Sequence, residues 1–222
     1  MQLSSFLQRF NEPETLKMAR LGRELRAKGI DVIDLSLGEP DFNTPPHIKE
    51  AAIKAIHDNW SHYTPVAGLL DLREAVCTKL KRDNGLDYKA ENIVVSTGAK
   101  QSLANALLAL VDEGDEVIIP TPYWVTYSEL VKIARGIVVE VKSSAEQGFK
   151  ISPQQLEAAI TSRSKVFLFS SPCNPTGAVY TKDELKALAD VFKKYPNVYI
   201  MSDEIYEYIN FKGKHESIAQ FE

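Results

Sequence analysis

Apolar and polar positions along the 222-residue chain follow two periods. From about Pro46, segments repeating every three or four residues alternate with short runs of β-branched and aromatic side chains. Leu69, Leu72, Val76 and Leu80 fall at helical spacing and predict a helix over 68–83 with that row facing inward. Leu103, Leu107 and Leu110 do the same over 100–111. Ser152-Pro153-Gln154-Gln155 reads as the start of a helix over 153–160: a capping serine, a proline at the first position and a glutamine able to reach back. Thr181 and Glu184 form a second capping box, opening 181–195 with Leu185, Leu188 and Phe192 on one face. A further short helical stretch lies near Leu16–Lys28.

Five short runs lie between these helices and predict strands: Ile93–Val95, Glu116–Ile119, Ile137–Val141, Val166–Phe169 and Val198–Met201. Several lack polar alternation, as expected of strands covered on both faces. The succession of strand, helix and strand argues for an α/β fold around a mostly parallel, three-layer sheet with right-handed crossovers. Residues 1–45 have a mixed character, ending in the apolar run Val32–Leu37 and the turn Gly38-Glu39-Pro40, and are read as an arm and a segment of a smaller domain. Residues 46–222 are read as the larger domain.

In open α/β sheets, ligands bind beyond the carboxyl ends of the strands. Those ends carry an unusual set here: Gly98-Ala99-Lys100 at a helix start, Tyr123-Trp124, Cys173-Asn174-Pro175-Thr176-Gly177, and Asp203-Glu204-Ile205-Tyr206. A helix start with free N–H groups suits a phosphate. An indole can stack on a flat ring, and a buried carboxylate favours a cationic partner. Taken singly, each has a plainer reading as a strand-to-helix turn, a core aromatic, turn chemistry or a helix cap. Together they match a ligand with a phosphate, a flat ring, a ring nitrogen and a ring hydroxyl, which is the description of pyridoxal 5′-phosphate. No Walker or dinucleotide glycine motif occurs.

Composition narrows the rest. Against 26 Lys and Arg stand 30 Asp and Glu, a net charge of −4, which argues against a general nucleic-acid or anionic-membrane binder. No apolar stretch approaches the ~18 residues of a membrane helix, and the first residues lack a signal-peptide pattern. Cys77 and Cys173 make neither a disulfide framework nor metal-ligand spacing, so a reducing, cytoplasmic setting is expected. His57 and His62 are five apart, which does not suit a metal pair on one helix face, and no metal is expected.

The strings LSLGEPDFNTP, YTPVAGLLDLREAV, STGAKQ, TPYWVTY, SSPCNPTGAVY and SDEIYEYINF resemble the class I/II aminotransferases of the fold-type I pyridoxal-phosphate enzymes, nearest to the bacterial aspartate and prephenate aminotransferases. That resemblance implies transamination between an L-amino acid, aspartate first, and a 2-oxo acid, in a homodimer. It implies that Gly98, Ala99 and Lys100 hold the cofactor phosphate, Trp124 stacks on its ring, and Asn174 and Tyr206 bond the ring hydroxyl oxygen. Asp203 would partner the pyridine nitrogen, and Tyr63 would reach the neighbouring subunit's phosphate. Gly38 would contact the substrate α-carboxylate, with Thr15, Trp124 and Asn174 also near substrate.

One departure stands out. In that family the lysine that binds the cofactor covalently follows the S-D-E-I-Y strand, within an S-K type motif, and a carboxylate-gripping arginine lies further on. Lys212 and Lys214 follow Asp203 too closely and lack those flanks. The expectation is therefore that the catalytic lysine lies beyond Glu222 and that this stretch alone is inactive. A pyridoxal-phosphate lyase or cyclising enzyme, a non-catalytic ligand sensor and a purely structural fragment remain as alternatives.

Overall fold

The computed structural model describes residues 3–10, 14–35 and 38–221, without the side chains of Glu14 and Thr15. The chain divides into two units, one running to Val66 and the other starting at Ala67. The first holds a short 3-10 turn at Ser5–Arg9, capped by the Ser4 hydroxyl, and two helices, α1 (Glu14–Ala27) and α2 (Pro46–His57). Pro46 opens α2 at a position where a missing N–H costs nothing. Val32–Leu35 of the expected apolar run form no regular element, and Ser36 and Leu37 lie outside the described residues.

The second unit contains α3 (Leu70–Lys79), α4 (Ala99–Leu110), β1 (Glu116–Thr121), α5 (Thr126–Ile133), β2 (Ile137–Lys142), α6 (Pro153–Ala159), β3 (Ser164–Ser170), α7 (Lys182–Phe192) and β4 (Tyr199–Asp203). The strands form one parallel sheet in the order β2-β1-β3-β4. Alternation along the strands divides the core in two. Val117, Ile119, Val166 and Leu168 point to one face and pack with Leu103, Leu107, Tyr127, Leu130 and Val131 of α4 and α5. Ile118, Phe167 and Phe169 point to the other and pack with Leu156, Leu185, Leu188, Val191 and Phe192 of α6 and α7. This is the three-layer arrangement read from the sequence, with both faces of β1 and β3 buried.

Both capping boxes form. The Ser152 hydroxyl accepts from Gln155 N (3.2 Å) while the Gln155 side chain accepts from Ser152 N (2.9 Å). Thr181 and Glu184 repeat the exchange at α7, at 3.3 and 2.7 Å.

Two expectations fail. Ile93–Val95 is not a strand: a strand needs a ladder partner, and the backbone bonds here run from Ile93 N to Ala90 O (3.2 Å) and from Val95 N to Ala67 O (3.0 Å). The row Leu69, Leu72, Val76 and Leu80 does not face a core. Helix α3 has no buried residue and packs beside the turn at Ala90–Asn92, where Arg73 donates to the Ala90 carbonyl at 3.0 Å. The predicted helix over 68–83 ends as a wider turn at Leu80–Asn84, closed by Gly85 at φ +71°.

Chain order reverses across the sheet between β1 and β3. The carboxyl ends of these neighbours form the topological switch point at which α/β sheets take up ligands.

Candidate functional site

Because all four strands are parallel, the segments after β1, β3 and β4 emerge at one edge of the sheet. Asp203 is the last residue of β4 and is buried. An isolated carboxylate in such a place is costly unless hydrogen-bonded. Two donors meet that need: the Tyr127 hydroxyl reaches Oδ2 at 2.7 Å and the Ile205 amide reaches Oδ1 at 3.2 Å. The Asp203 carbonyl accepts from Ser171 N at 3.2 Å, so the loop after β3 is tied to the end of β4.

Tyr127 links the carboxylate to the indole. Helix α5 begins two residues after Trp124 and turns the Tyr127 ring inward, where it lies 5.7 Å from the Trp124 ring in an edge-on contact. The Lys100 ammonium lies 5.1 Å from the centroid of the same indole. Trp124 is partly exposed. Burial holds the Tyr127 phenol protonated far above the ordinary tyrosine range, and the neighbouring Asp203 charge adds to the effect. The phenol is therefore a donor at any physiological pH.

Gly98 caps α4 at φ +88°, a conformation glycine adopts freely, and no atom lies within 4 Å of where a side chain would start. No side chain caps this helix. The Ala99 and Lys100 amides have no acceptor among the described residues, so two N–H groups are unspent at the positive end of a twelve-residue helix. On the loop after β3, Asn174 Nδ2 lies 3.5 Å from the Tyr206 hydroxyl, an amide–phenol pair built from residues 32 apart in the chain. Cys173, beside it, points its thiol at the Pro122 carbonyl (3.5 Å) and is partly buried.

Seven residues expected at the strand ends thus fall into linked groups of the second unit: Gly98, Ala99 and Lys100 at the start of α4, Trp124 against Lys100, Asp203 through Tyr127, and Asn174 with Tyr206. Tyr63 and Gly38 belong to the first unit, where both are exposed. Thr15 falls in α1, with its side chain outside the described residues.

Two participants were not foreseen. Tyr127 has no sequence signal for its role beyond its place three residues after Trp124, in the first turn of α5. Glu204 is the other. It is largely buried and accepts from Ser202 Oγ (2.9 Å) and Ser217 Oγ (2.7 Å), and pairs with His215 Nε2 at 2.9 Å. Burial alone would raise its pKa, but the bonds from His215, Ser217 and Ser202 outweigh it and hold the carboxyl below its usual range. The network pins the segment carrying Tyr206 back onto the end of β4.

Among the described residues, no group of three or more His, Cys, Asp or Glu is placed to hold a metal ion, and no helix is long and apolar enough to cross a membrane.

Comparison with known proteins gives a consistent result. The family described as aminotransferase class I and II matches residues 30–221. The aspartate/prephenate aminotransferase of Cereibacter sphaeroides is 51% identical over 209 residues, covering 94% of this chain and 52% of that protein. The aspartate aminotransferase of Geobacillus stearothermophilus is 49% identical, covering 99% of this chain and 56% of that one. Among solved structures, the aspartate aminotransferase from Thermus thermophilus with maleate aligns with a TM-score of 0.95 at 43% identity, over 100% of this chain and 58% of that one. The chain spans about half the length of the curated relatives it matches.

Proposed function

Since the chain belongs to the class I and II aminotransferases, we propose that the whole protein moves an amino group between an L-amino acid and a 2-oxo acid with pyridoxal 5′-phosphate as cofactor. Aspartate is the first substrate to test, because the relatives named above are aspartate or aspartate/prephenate aminotransferases. The observation that carries this reading is the buried Asp203 carboxylate, held by two donors at the strand-end edge and joined through Tyr127 to an indole.

The donor set fits the cofactor group by group. The Ala99 and Lys100 amides bind the phosphate at the positive end of α4, and Gly98 keeps its approach clear. Trp124 covers one face of the ring and excludes water from it. Asn174 and Tyr206 hold the ring hydroxyl oxygen. Asp203 keeps a proton on the pyridine nitrogen, since an adjacent negative charge favours the cationic form. When bound, the cofactor supplies an electron sink for the carbon that loses its proton. Tyr127 fixes the direction of the carboxylate and stays protonated while doing so.

The remaining assignments complete the proposal. Gly38 contacts the substrate carboxylate, Thr15 lies near substrate, and Tyr63 reaches the cofactor phosphate of a second subunit in a homodimer. The two free cysteines support a reducing, cytoplasmic setting.

The test is the absorbance of the full-length protein titrated with pyridoxal phosphate. A saturable visible band, lost in Asp203→Ala and fixed by borohydride reduction, supports the reading. A band that forms equally in Asp203→Ala refutes the assignment of that residue. Release of ammonia and pyruvate in place of amino transfer would make the protein a lyase.

A further inference from the structure

One cleft is lined by none of the residues assigned to the candidate site above. It lies between Lys150, the segment leading into α7 (Val179–Lys182) and the loop after β4 (Asn210, Lys212, Lys214 and Glu216), and encloses about 460 Å³. Lys150 is already neutralised, its ammonium bonded to both oxygens of Glu184 at 2.6 and 2.7 Å. Lys182, Lys212 and Lys214 have no acid partner among the described residues. Against these three cations the lining supplies one carboxylate, Glu216. In a chain of net charge −4, three unpaired lysines around one concavity are a local reversal of sign.

The second observation is Asn210. Its side-chain Oδ1 accepts from Lys212 N at 2.8 Å, which fixes the direction of the amide. Its Nδ2 is then buried with no partner. Asn210 is also one of the residues that line the cleft the lysines surround, and a buried amide donor without an acceptor is uncommon in a folded protein.

We propose that this cleft binds a small, multiply charged anion of the phosphate-ester or polycarboxylate class. The ammonium groups of Lys182, Lys212 and Lys214 supply charge, and Asn210 lines the cleft beside them. The volume suits a small ligand. The site is separate from Gly98, Trp124, Asn174 and Asp203, so it stands or falls independently of the cofactor assignment.

Calorimetric titration with pyrophosphate and, separately, citrate tests this on the full-length protein, with and without saturating pyridoxal phosphate. Saturable binding of either probe, unchanged by the cofactor, is expected, and the tighter probe identifies the class of anion. Lys182→Gln/Lys212→Gln/Lys214→Gln should raise the dissociation constant about tenfold or more, because charge-assisted contacts are removed. Asn210→Asp keeps the acceptor oxygen but replaces the donor with a negative group, and should weaken binding as well. All four side chains lie outside the core, and circular dichroism verifies that the variants fold. No saturable heat with either probe, or variants that bind like the parent, overturns the proposal.

Discussion

Replacing Tyr127 by phenylalanine removes a single oxygen from the centre of the site and leaves the volume of the ring in place. Tyr127 is 1% exposed and its hydroxyl donates to Asp203 Oδ2 at 2.7 Å. A hydrogen bond to a charged group contributes about 1.5–3 kcal/mol, and its loss leaves a buried carboxylate oxygen unsatisfied. At pH 8, Tyr127→Phe should therefore be less stable by about that amount. The alkaline limb carries a second, sharper signature. An unfolded tyrosine ionises near pH 10, whereas burial and the Asp203 charge keep Tyr127 protonated in the fold. Its folded pKa is raised, so its contribution is complete below pH 10 and is lost as pH rises beyond that point. Stability of the parent should fall by about 1.4 kcal/mol per pH unit more steeply than that of Tyr127→Phe. Tyr180, pushed up to about 12 mainly by burial, adds the same slope to both proteins and cancels in the comparison. Urea unfolding at intervals from pH 8 to pH 11 measures both effects. Parallel curves for parent and variant would refute the reasoning, because a phenol open to water gives no differential slope.

Three further outcomes follow from the same structure. Asp203→Asn keeps the shape but removes the charge, so it should impair turnover of the full-length protein by tenfold or more, about 1.4 kcal/mol per decade, while changing cofactor affinity far less; steady-state kinetics beside an absorbance titration separates the two. Glu204→Gln should flatten the acid limb: the Glu204 carboxyl is held below its usual range by His215, Ser217 and Ser202, so its stabilisation is complete above the unfolded pKa and lost as pH falls through the folded one, which acid titration of circular dichroism follows. Leu107→Ala empties a fully buried position between α4 and the sheet and should cost about 2–5 kcal/mol in urea unfolding, against little for Leu108→Ala on the exposed face.

The order of elements was legible because the local signals were strong and mutually consistent. Ser152 with Gln155 and Thr181 with Glu184 state where α6 and α7 begin, and the capping bonds depend only on residues three apart. The buried strands β1 and β3 read as continuous apolar runs because helices cover both faces. Ile93–Val95 carries the same composition, yet composition cannot supply a neighbouring strand, and pairing is what makes one. The leucine row of α3 misled for a related reason: a helical period shows which residues share a face, not whether a sheet lies against it. At the site, Trp124, Asn174, Asp203 and Tyr206 were legible as strand-end residues. Tyr127 was not, because its bond to Asp203 spans 76 residues and depends on how α5 leaves β1. The His215–Glu204 pair was hidden for the same reason: His215 has no partner in sequence until the loop after β4 folds back.

The central claim is that distant loops meet at one edge of the sheet and enclose a single vitamin B6 cofactor, and the fluorescence of Trp124 tests it most directly. In a Trp60→Phe background Trp124 is the sole indole of this 222-residue stretch, and stacking on pyridoxal phosphate should quench its emission saturably. The quench should follow the same binding curve as the visible absorbance band. Cofactor binding that leaves this emission unchanged would put the ligand elsewhere on the molecule and contradict the account.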